Sequence, residues 1–107
     1  MTLQEFAQVI TTLGIPAVYG YYNDDNPQKP PYLAYRATDK NVIHADGIVV
    51  YAEEWCVLEF ISRYRDLTME RLIENLLTGY GIAFDSPECY FDEKQKIHIT
   101  AYSFMLE

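Results

Sequence analysis

Residues 54 to 64 read EWCVLEFISRY, and this stretch decides the fold. Its β-branched and aromatic residues predict a strand, but the usual alternation of apolar and polar residues is missing. The apolar side chains are Cys56, Leu58 and Phe60 on one face and Trp55, Val57 and Ile61 on the other. Because a strand that is apolar on both faces needs cover on both faces, one layer of helices would leave it incomplete.

The last predicted strand, Lys96 to Leu106, repeats this pattern. Its two apolar sets are Ile97, Ile99, Ala101 and Met105 on one face and Tyr102, Phe104 and Leu106 on the other. Three arrangements stay open: helices on both faces of the sheet, a sheet that curls on itself, or a neighbouring subunit that supplies the second layer. Tryptophan is enriched at contact hot spots, so we expect the set of Trp55 to face a partner. The candidate interface residues are Trp55, Val57, Ile61, Tyr102 and Phe104.

Two helices are predicted, one before and one after the central strands in the sequence. The first begins at Thr2, which forms a capping box with Glu5, and ends at Gly14. The second, RDLTMERLIENLLTGYG, has apolar residues at helical spacing and is capped by Asp66 or Thr68.

The remaining segments predict strands. IPAVYGYY and residues 32–37 favour strands, and Asp46-Gly47 predicts a hairpin between two apolar runs. Glu53-Glu54 suggests a second reversal, and residues 88–91 form a strand before the final one. The sequence therefore predicts one α+β domain over residues 1–107. Its antiparallel or mixed sheet has five to six strands and two helices, in the order α-β-β-β-β-α-β-β.

A polar, proline-bearing loop at residues 23–31 interrupts the first two strands. It favours turns and lacks several backbone donors, so no regular element can hold it. It is either a plain surface connection or a stiff contact arm. The candidate contact residues are Asp24, Asp25, Asn26, Pro27, Lys29 and Pro30.

Composition narrows the classes of function. The net charge is −8, with sixteen acidic and eight scattered basic residues, which argues against specific nucleic-acid binding. Neither a membrane span nor a signal peptide is predicted, so we expect a soluble, intracellular chain. Cys56 and Cys89 are expected to be free thiols, with a disulfide or a reactive thiol as the alternative.

Catalytic and metal-binding patterns are weak. The sequence has no phosphate loop, nucleophile elbow or zinc-ligand pair, and His44 and His98 do not match local ligand spacing. Asp24-Asp25 is typical of a turn, and Glu53 and Glu54 would point to opposite faces of a strand. We therefore expect no enzyme activity, no cofactor and no metal.

Three short motifs occur together in the sequence: Pro16-Ala17-Val18-Tyr19-Gly20-Tyr21-Tyr22, Pro30-Pro31-Tyr32-Leu33-Ala34-Tyr35 and Ala45-Asp46. They resemble motifs of the tail completion or tail terminator proteins of siphophages and prophages of Gram-positive hosts. The similarity in element order covers nearly the whole chain. Residues 55–65 depart from the family pattern, because they are more apolar than the tyrosine-rich and charged strand expected there.

The resemblance implies an α+β protein without enzyme activity or cofactor. It implies a hexameric ring at the head-proximal end of the tail tube, which stops tube polymerisation and allows head-tail joining. The implied partners are further copies of the chain, the tail tube protein and the head-tail connector protein, with DNA passing through the ring. The implied location is the virion tail, and the host cytoplasm during assembly. In that setting the loop would contact the tube or connector, and acidic residues in the lumen would repel DNA.

Two other functions remain open at this point. An acidic DNA mimic that inhibits a host nucleic-acid enzyme would need carboxylates clustered on one face. A small α+β enzyme or ligand-binding domain would show a deep pocket with convergent polar groups.

Overall fold

The computed structural model describes residues 1–22, 27–45 and 47–106, and it describes the side chains of all of these except 39–45 and 48–53. Two α-helices and a five-stranded sheet are present in this part of the chain, which confirms the α+β class. The elements are α1 (Leu3–Ile10), a 3-10 turn (Thr11–Leu13), β1 (Ala17–Tyr19), β2 (Tyr32–Ala45), β3 (Ile48–Ser62), α2 (Leu67–Gly79), β4 (Glu88–Asp92) and β5 (Ile97–Leu106).

The sheet is mixed, with the strand order β1-β2-β3-β5-β4. β1 runs parallel to β2, and the other three neighbouring pairs are antiparallel. After β3 the chain passes through α2 and forms β4 at the edge of the sheet. β5 then turns back and inserts between β4 and β3, so the last strand in sequence is an interior strand of the sheet.

The ends of both helices follow the local sequence signals. The Thr2 hydroxyl accepts from the backbone N–H of Glu5 at 3.1 Å, and the Glu5 carboxylate accepts from the backbone N–H of Thr2 at 3.3 Å. Gly14 ends this segment in the left-handed conformation, with φ of 80°. Asp66 caps α2 by accepting from the backbone N–H of Met69 at 3.0 Å. The predicted capping box and one of the two predicted caps of α2 are thus confirmed.

β2 and β3 are longer than expected, and the predicted reversal at Glu53-Glu54 is wrong. Both glutamates lie within β3, where they pair with Asn41 and Lys40 of β2. Glycine and proline favour turns because of their special backbone conformations, and glutamate shares neither property. The pairing with β2 therefore keeps this segment extended. The polar run TDKN causes only a register shift after Ala37.

The predicted hairpin is present, since Ala45 pairs with Ile48, while Asp46 itself lies outside the described residues. Beyond the part of β3 that pairs with β5, β2 and β3 continue as a two-stranded ribbon that leads to this hairpin.

Both helices pack on the same face of the sheet and close the core there. Of the three arrangements left open by the sequence, the one with helices on both faces of the sheet is therefore excluded. This core contains Phe6, Ile10, Leu33, Cys56, Leu58, Phe60, Ile73, Leu77, Ile82, Tyr102, Phe104 and Leu106. The Phe6 ring contacts those of Tyr35 and Phe104, with centroids 6.3 and 5.0 Å away. α1 is thereby attached through one large aromatic residue, supported by Ile10.

Candidate functional site: the open face of the sheet

The face of the sheet opposite the helices is called the open face. Strand alternation and the register define its members, because directly paired residues lie on the same side of a sheet. They are Val18, Tyr32, Ala34, Arg36, Trp55, Val57, Glu59, Ile61, Glu88, Tyr90, Asp92, Ile97, Ile99, Ala101, Ser103 and Met105. The open face is therefore partly aliphatic, partly aromatic and partly charged.

A small second core lies on the open face. Ala34, Ile61 and Ile97 are buried there, with Val18, Tyr32 and Ile99 packed against them. Beside this cluster is a cavity of about 190 Å³, called the tyrosine cavity. It is lined by Tyr21, Tyr22, Tyr32, Ala34, Glu59, Ile61, Asp92, Gln95, Ile97 and Ile99.

The turn after β1 brings two of these tyrosines over the sheet. Gly20 has a φ of 84°, a conformation that favours glycine, and its N–H donates to the Tyr35 carbonyl at 2.8 Å. The chain then passes Tyr21 and Tyr22, and the ring of Tyr22 meets that of Tyr32 edge to face with centroids 5.0 Å apart. The predicted strand IPAVYGYY is thus shorter than expected, and its second half forms one wall of the cavity.

A buried ion pair lies at the centre of the open face. Glu59 is only 8% exposed, and its Oε1 is 2.6 Å from the Arg36 guanidinium. Its Oε2 accepts from the Tyr90 hydroxyl at 3.4 Å, and Arg36 also lies over the Tyr21 ring, 5.2 Å from the centroid. The buried carboxylate is therefore compensated by a cation and by a hydroxyl donor, as its burial requires.

The charge of Glu59 acts on the neighbouring phenols. Burial raises the pKa of Tyr32, and the carboxylate of Glu59 raises it further. Burial likewise raises the pKa of Tyr90, with Glu59 again contributing as a charge and as a hydrogen-bond acceptor. Both hydroxyls consequently stay protonated to a higher pH than a free tyrosine.

Three of the five candidate interface residues lie on the open face. Trp55 is 36% exposed, Val57 is half-buried, and Ile61 is buried in the second core. Trp55 also lines a cavity of about 510 Å³, which extends from Met105 on this face to Phe104 and other residues of the helix-covered core. The structure therefore brings an exposed tryptophan and a second concave region together.

The other two candidates, Tyr102 and Phe104, are core residues, so the expectation that they contact a partner is wrong. They are 0% and 1% exposed and lie beneath the helices. The Tyr102 hydroxyl donates to the Glu74 carboxylate at 3.1 Å. Alternation along β5 places these two side chains on the same face of the sheet. The sequence alone does not show that the helices pack on this face.

The candidate contact loop lies partly outside the described residues. Asp24, Asp25 and Asn26 belong to residues 23–26, which the structure does not describe. Pro27 and Lys29 are exposed, and Pro30 is half-buried. Pro30 lines a small cavity beside Tyr64 and Asp66, so the end of the loop lies next to the connection between β3 and α2.

Cys56, Cys89 and His98 do not form a common site, and the side chain of His44 lies outside those that the structure describes. Cys56 is buried in the core and Cys89 is exposed, and both are free thiols. His98 packs on the Phe91 ring with centroids 4.8 Å apart. Among the residues whose side chains the structure describes, no group of three or more potential ligands could hold a metal ion. Neither helix within residues 1–22, 27–45 and 47–106 has the length and apolar content of a membrane span.

The arrangement around Arg36, Glu59 and Tyr90 was not predicted. The signal was present in the sequence, since Glu59 is a lone carboxylate inside the apolar run VLEFI. A carboxylate in such a strand needs a cationic or hydrogen-bonding partner. Its two partners lie on β2 and β4, so the residues near Glu59 in the sequence do not identify them.

No protein-family model and no curated protein matches this chain.

Proposed function

We propose that this chain is a structural protein of a phage or prophage tail that ends the tail tube and receives the head. One observation carries the proposal: both helices cover one face of the sheet, while the open face presents the exposed aromatic residues Trp55 and Tyr90. A sheet face that no helix covers leaves such side chains available to meet a partner. The fold class and the tyrosine-rich motifs agree with the resemblance described above.

In the proposed assembly, copies of the chain form a hexameric ring at the head-proximal end of the tube. A ring requires heterologous contacts, in which one surface of each subunit meets a different surface of the next. The open face around Trp55 is the first such surface. The ribbon formed by the distal parts of β2 and β3 is the second, because it extends beyond the five-stranded region and can reach a neighbour.

The remaining properties follow from that assembly. The tail tube protein and the head-tail connector protein are the proposed partners, and the proposed location is the virion tail, reached from the host cytoplasm. No enzyme activity and no cofactor are needed, because the ring acts by covering the end of the tube. A net charge of −8 would help DNA to pass through the lumen without binding, since like charges repel.

Deletion of the gene from its native phage or prophage tests the proposal. Particles are imaged by negative-stain electron microscopy, with complementation by the wild-type gene as the control. We expect tails of uncontrolled length beside unattached, DNA-filled heads. Normal joined particles would remove the proposal and favour an acidic inhibitor of a host nucleic-acid enzyme.

Complementation with point variants then tests the open face. Trp55→Ala removes the exposed indole, and Tyr64→Ala is the matched control because Tyr64 is an exposed aromatic residue outside the sheet. Both purified variants are checked for folding by circular dichroism. We expect Trp55→Ala to give unjoined heads and Tyr64→Ala to restore normal particles. Equal complementation by the two would show that the indole is not an assembly contact.

A further inference from the structure

The tyrosine cavity has the composition of a site for an organic cation. Three aromatic rings, from Tyr21, Tyr22 and Tyr32, form its walls, and two carboxylates, Glu59 and Asp92, line it as well. None of the described residues that line it is a lysine or an arginine. Aromatic faces and carboxylates both attract positive charge, so the two kinds of group act in the same direction here.

The same region already holds one cation of the chain in this way. The Arg36 guanidinium lies 5.2 Å from the centroid of the Tyr21 ring while it pairs with Glu59. This contact places a guanidinium against a tyrosine ring and a carboxylate beside the cavity, and because it compensates Glu59 it leaves Asp92 as the carboxylate that would attract a second cation. Asp92 takes part in none of the ion pairs found among the described residues, so its charge is not compensated by Arg36.

The floor of the cavity suits the stem of a long side chain. It is aliphatic, with Ala34, Ile61, Ile97 and Ile99 beneath the polar groups. Lysine and arginine bury their methylene groups along apolar surface while the charged end stays near polar partners. A volume of about 190 Å³ accommodates one such side chain and leaves no room for a folded segment.

We propose that the tyrosine cavity binds an arginine or lysine side chain of a basic partner protein. The inference concerns the isolated chain and does not depend on the proposed role in a phage tail. A basic partner is favoured over a second copy, because this chain carries sixteen acidic and only eight basic residues. Charge complementarity of this kind directs partner choice more than it raises affinity.

The test uses a model of the arginine side chain and its neutral isostere. Nα-acetyl-arginine methylamide and Nα-acetyl-citrulline methylamide have nearly the same shape, but only the first is charged. Each is titrated into the ¹⁵N-labelled protein at constant ionic strength, with Nα-acetyl-lysine methylamide as a third probe. A single cationic side chain binds weakly, so half-saturation is expected on the order of 10 to 100 mM.

The expected result is a set of amide shifts confined to the strands around Ala34, Glu59 and Ile97. The arginine and lysine probes should produce them, and the citrulline probe should not. Equal shifts with citrulline would overturn the proposal, because the cavity would then recognise shape and not charge. An absence of shifts with both cationic probes would overturn it as well.

Three variants complete the test. Tyr22→Leu removes one ring and should weaken binding by about threefold. Asp92→Asn should weaken it by about twofold to fivefold, and its side-chain oxygen can still accept from the turn N–H groups of Lys94 and Gln95, as Asp92 does. Tyr64→Leu, outside the cavity, should leave binding unchanged. Unchanged binding in both of the first two variants, with intact spectra elsewhere, would show that the rings and the carboxylate do not form the site.

Discussion

The ion pair between Arg36 and Glu59 should contribute measurably to the free energy of unfolding. A double-mutant cycle tests this with Arg36→Met, Glu59→Gln and the combined variant. Methionine keeps much of the length of arginine, and glutamine keeps the shape of glutamate while it removes the charge. The cycle isolates the coupling between the two side chains from the other effects of each substitution.

The magnitude follows from how far each partner is buried. The N–O distance is 2.6 Å, and the side chains of Arg36 and Glu59 are 32% and 10% exposed. Exposed pairs couple by about 0.2–1 kcal/mol, whereas removal of one partner from a buried pair costs about 3–5 kcal/mol. This pair lies between the two cases, so we expect a coupling of about 1–2 kcal/mol. Arg36→Met alone should cost about 2–3 kcal/mol, because Glu59 then stays buried without its cation.

Urea unfolding, followed by Trp55 fluorescence and by circular dichroism, measures each free energy. Arg71→Met, an exposed arginine on α2, is the control for loss of a positive charge from an acidic protein. In 1 M salt the coupling should fall by less than half, because a buried carboxylate is poorly screened. A coupling below about 0.3 kcal/mol, or equal destabilisation by Arg36→Met and Arg71→Met, would refute the reasoning.

Three further predictions concern the core and the helix ends. Tyr102→Phe removes the buried hydroxyl that donates to Glu74, and should lower the free energy of unfolding by about 1 kcal/mol in urea titrations; no loss would mean that water replaces this bond fully. Burial, assisted by the charge of Glu54, raises the pKa of the Cys56 thiol from 9.0 to about 11. The neutral thiol therefore contributes about 2–3 kcal/mol to the free energy of unfolding below pH 9, and this contribution is lost as the pH rises through 11. In Cys56→Val the free energy of unfolding should depend less on pH over this range. An identical pH dependence in the two proteins would contradict the assignment. Thr2→Ala, which removes the cap of α1, should lower the melting temperature by an amount equivalent to about 1 kcal/mol, whereas Thr68→Ala should have a much smaller effect.

The sequence predicted those parts of the fold that depend on local chemistry. The capping box at Thr2, the cap at Asp66 and the hairpin before Gly47 each rest on residues within a few positions of one another. The two apolar faces of β3 and β5 were also predicted, because alternation is a local property of a strand.

Long-range pairing could not be predicted in the same way. Nothing in residues 53–54 indicates that β2 continues alongside them and keeps them extended. Likewise, the choice between the two apolar faces of β5 is made by the helices, which is why Tyr102 and Phe104 were assigned to the wrong side. The candidate site shows the same limit, since Arg36, Glu59 and Tyr90 come from three different strands.

Because β5 inserts between β3 and β4, the sheet cannot be completed during synthesis until residues 97–106 have been added. Ser62 at the end of β3 pairs with His98 of β5, about a third of the chain further on. When α1, β1, β2 and β3 have left the ribosome, the core side chains Leu58 and Phe60 still lack the neighbours that β5 supplies, Tyr102 and Phe104. The growing chain therefore carries an unfinished apolar surface until residues 97–106 have been added, and exposed apolar surface of this kind favours aggregation in that interval.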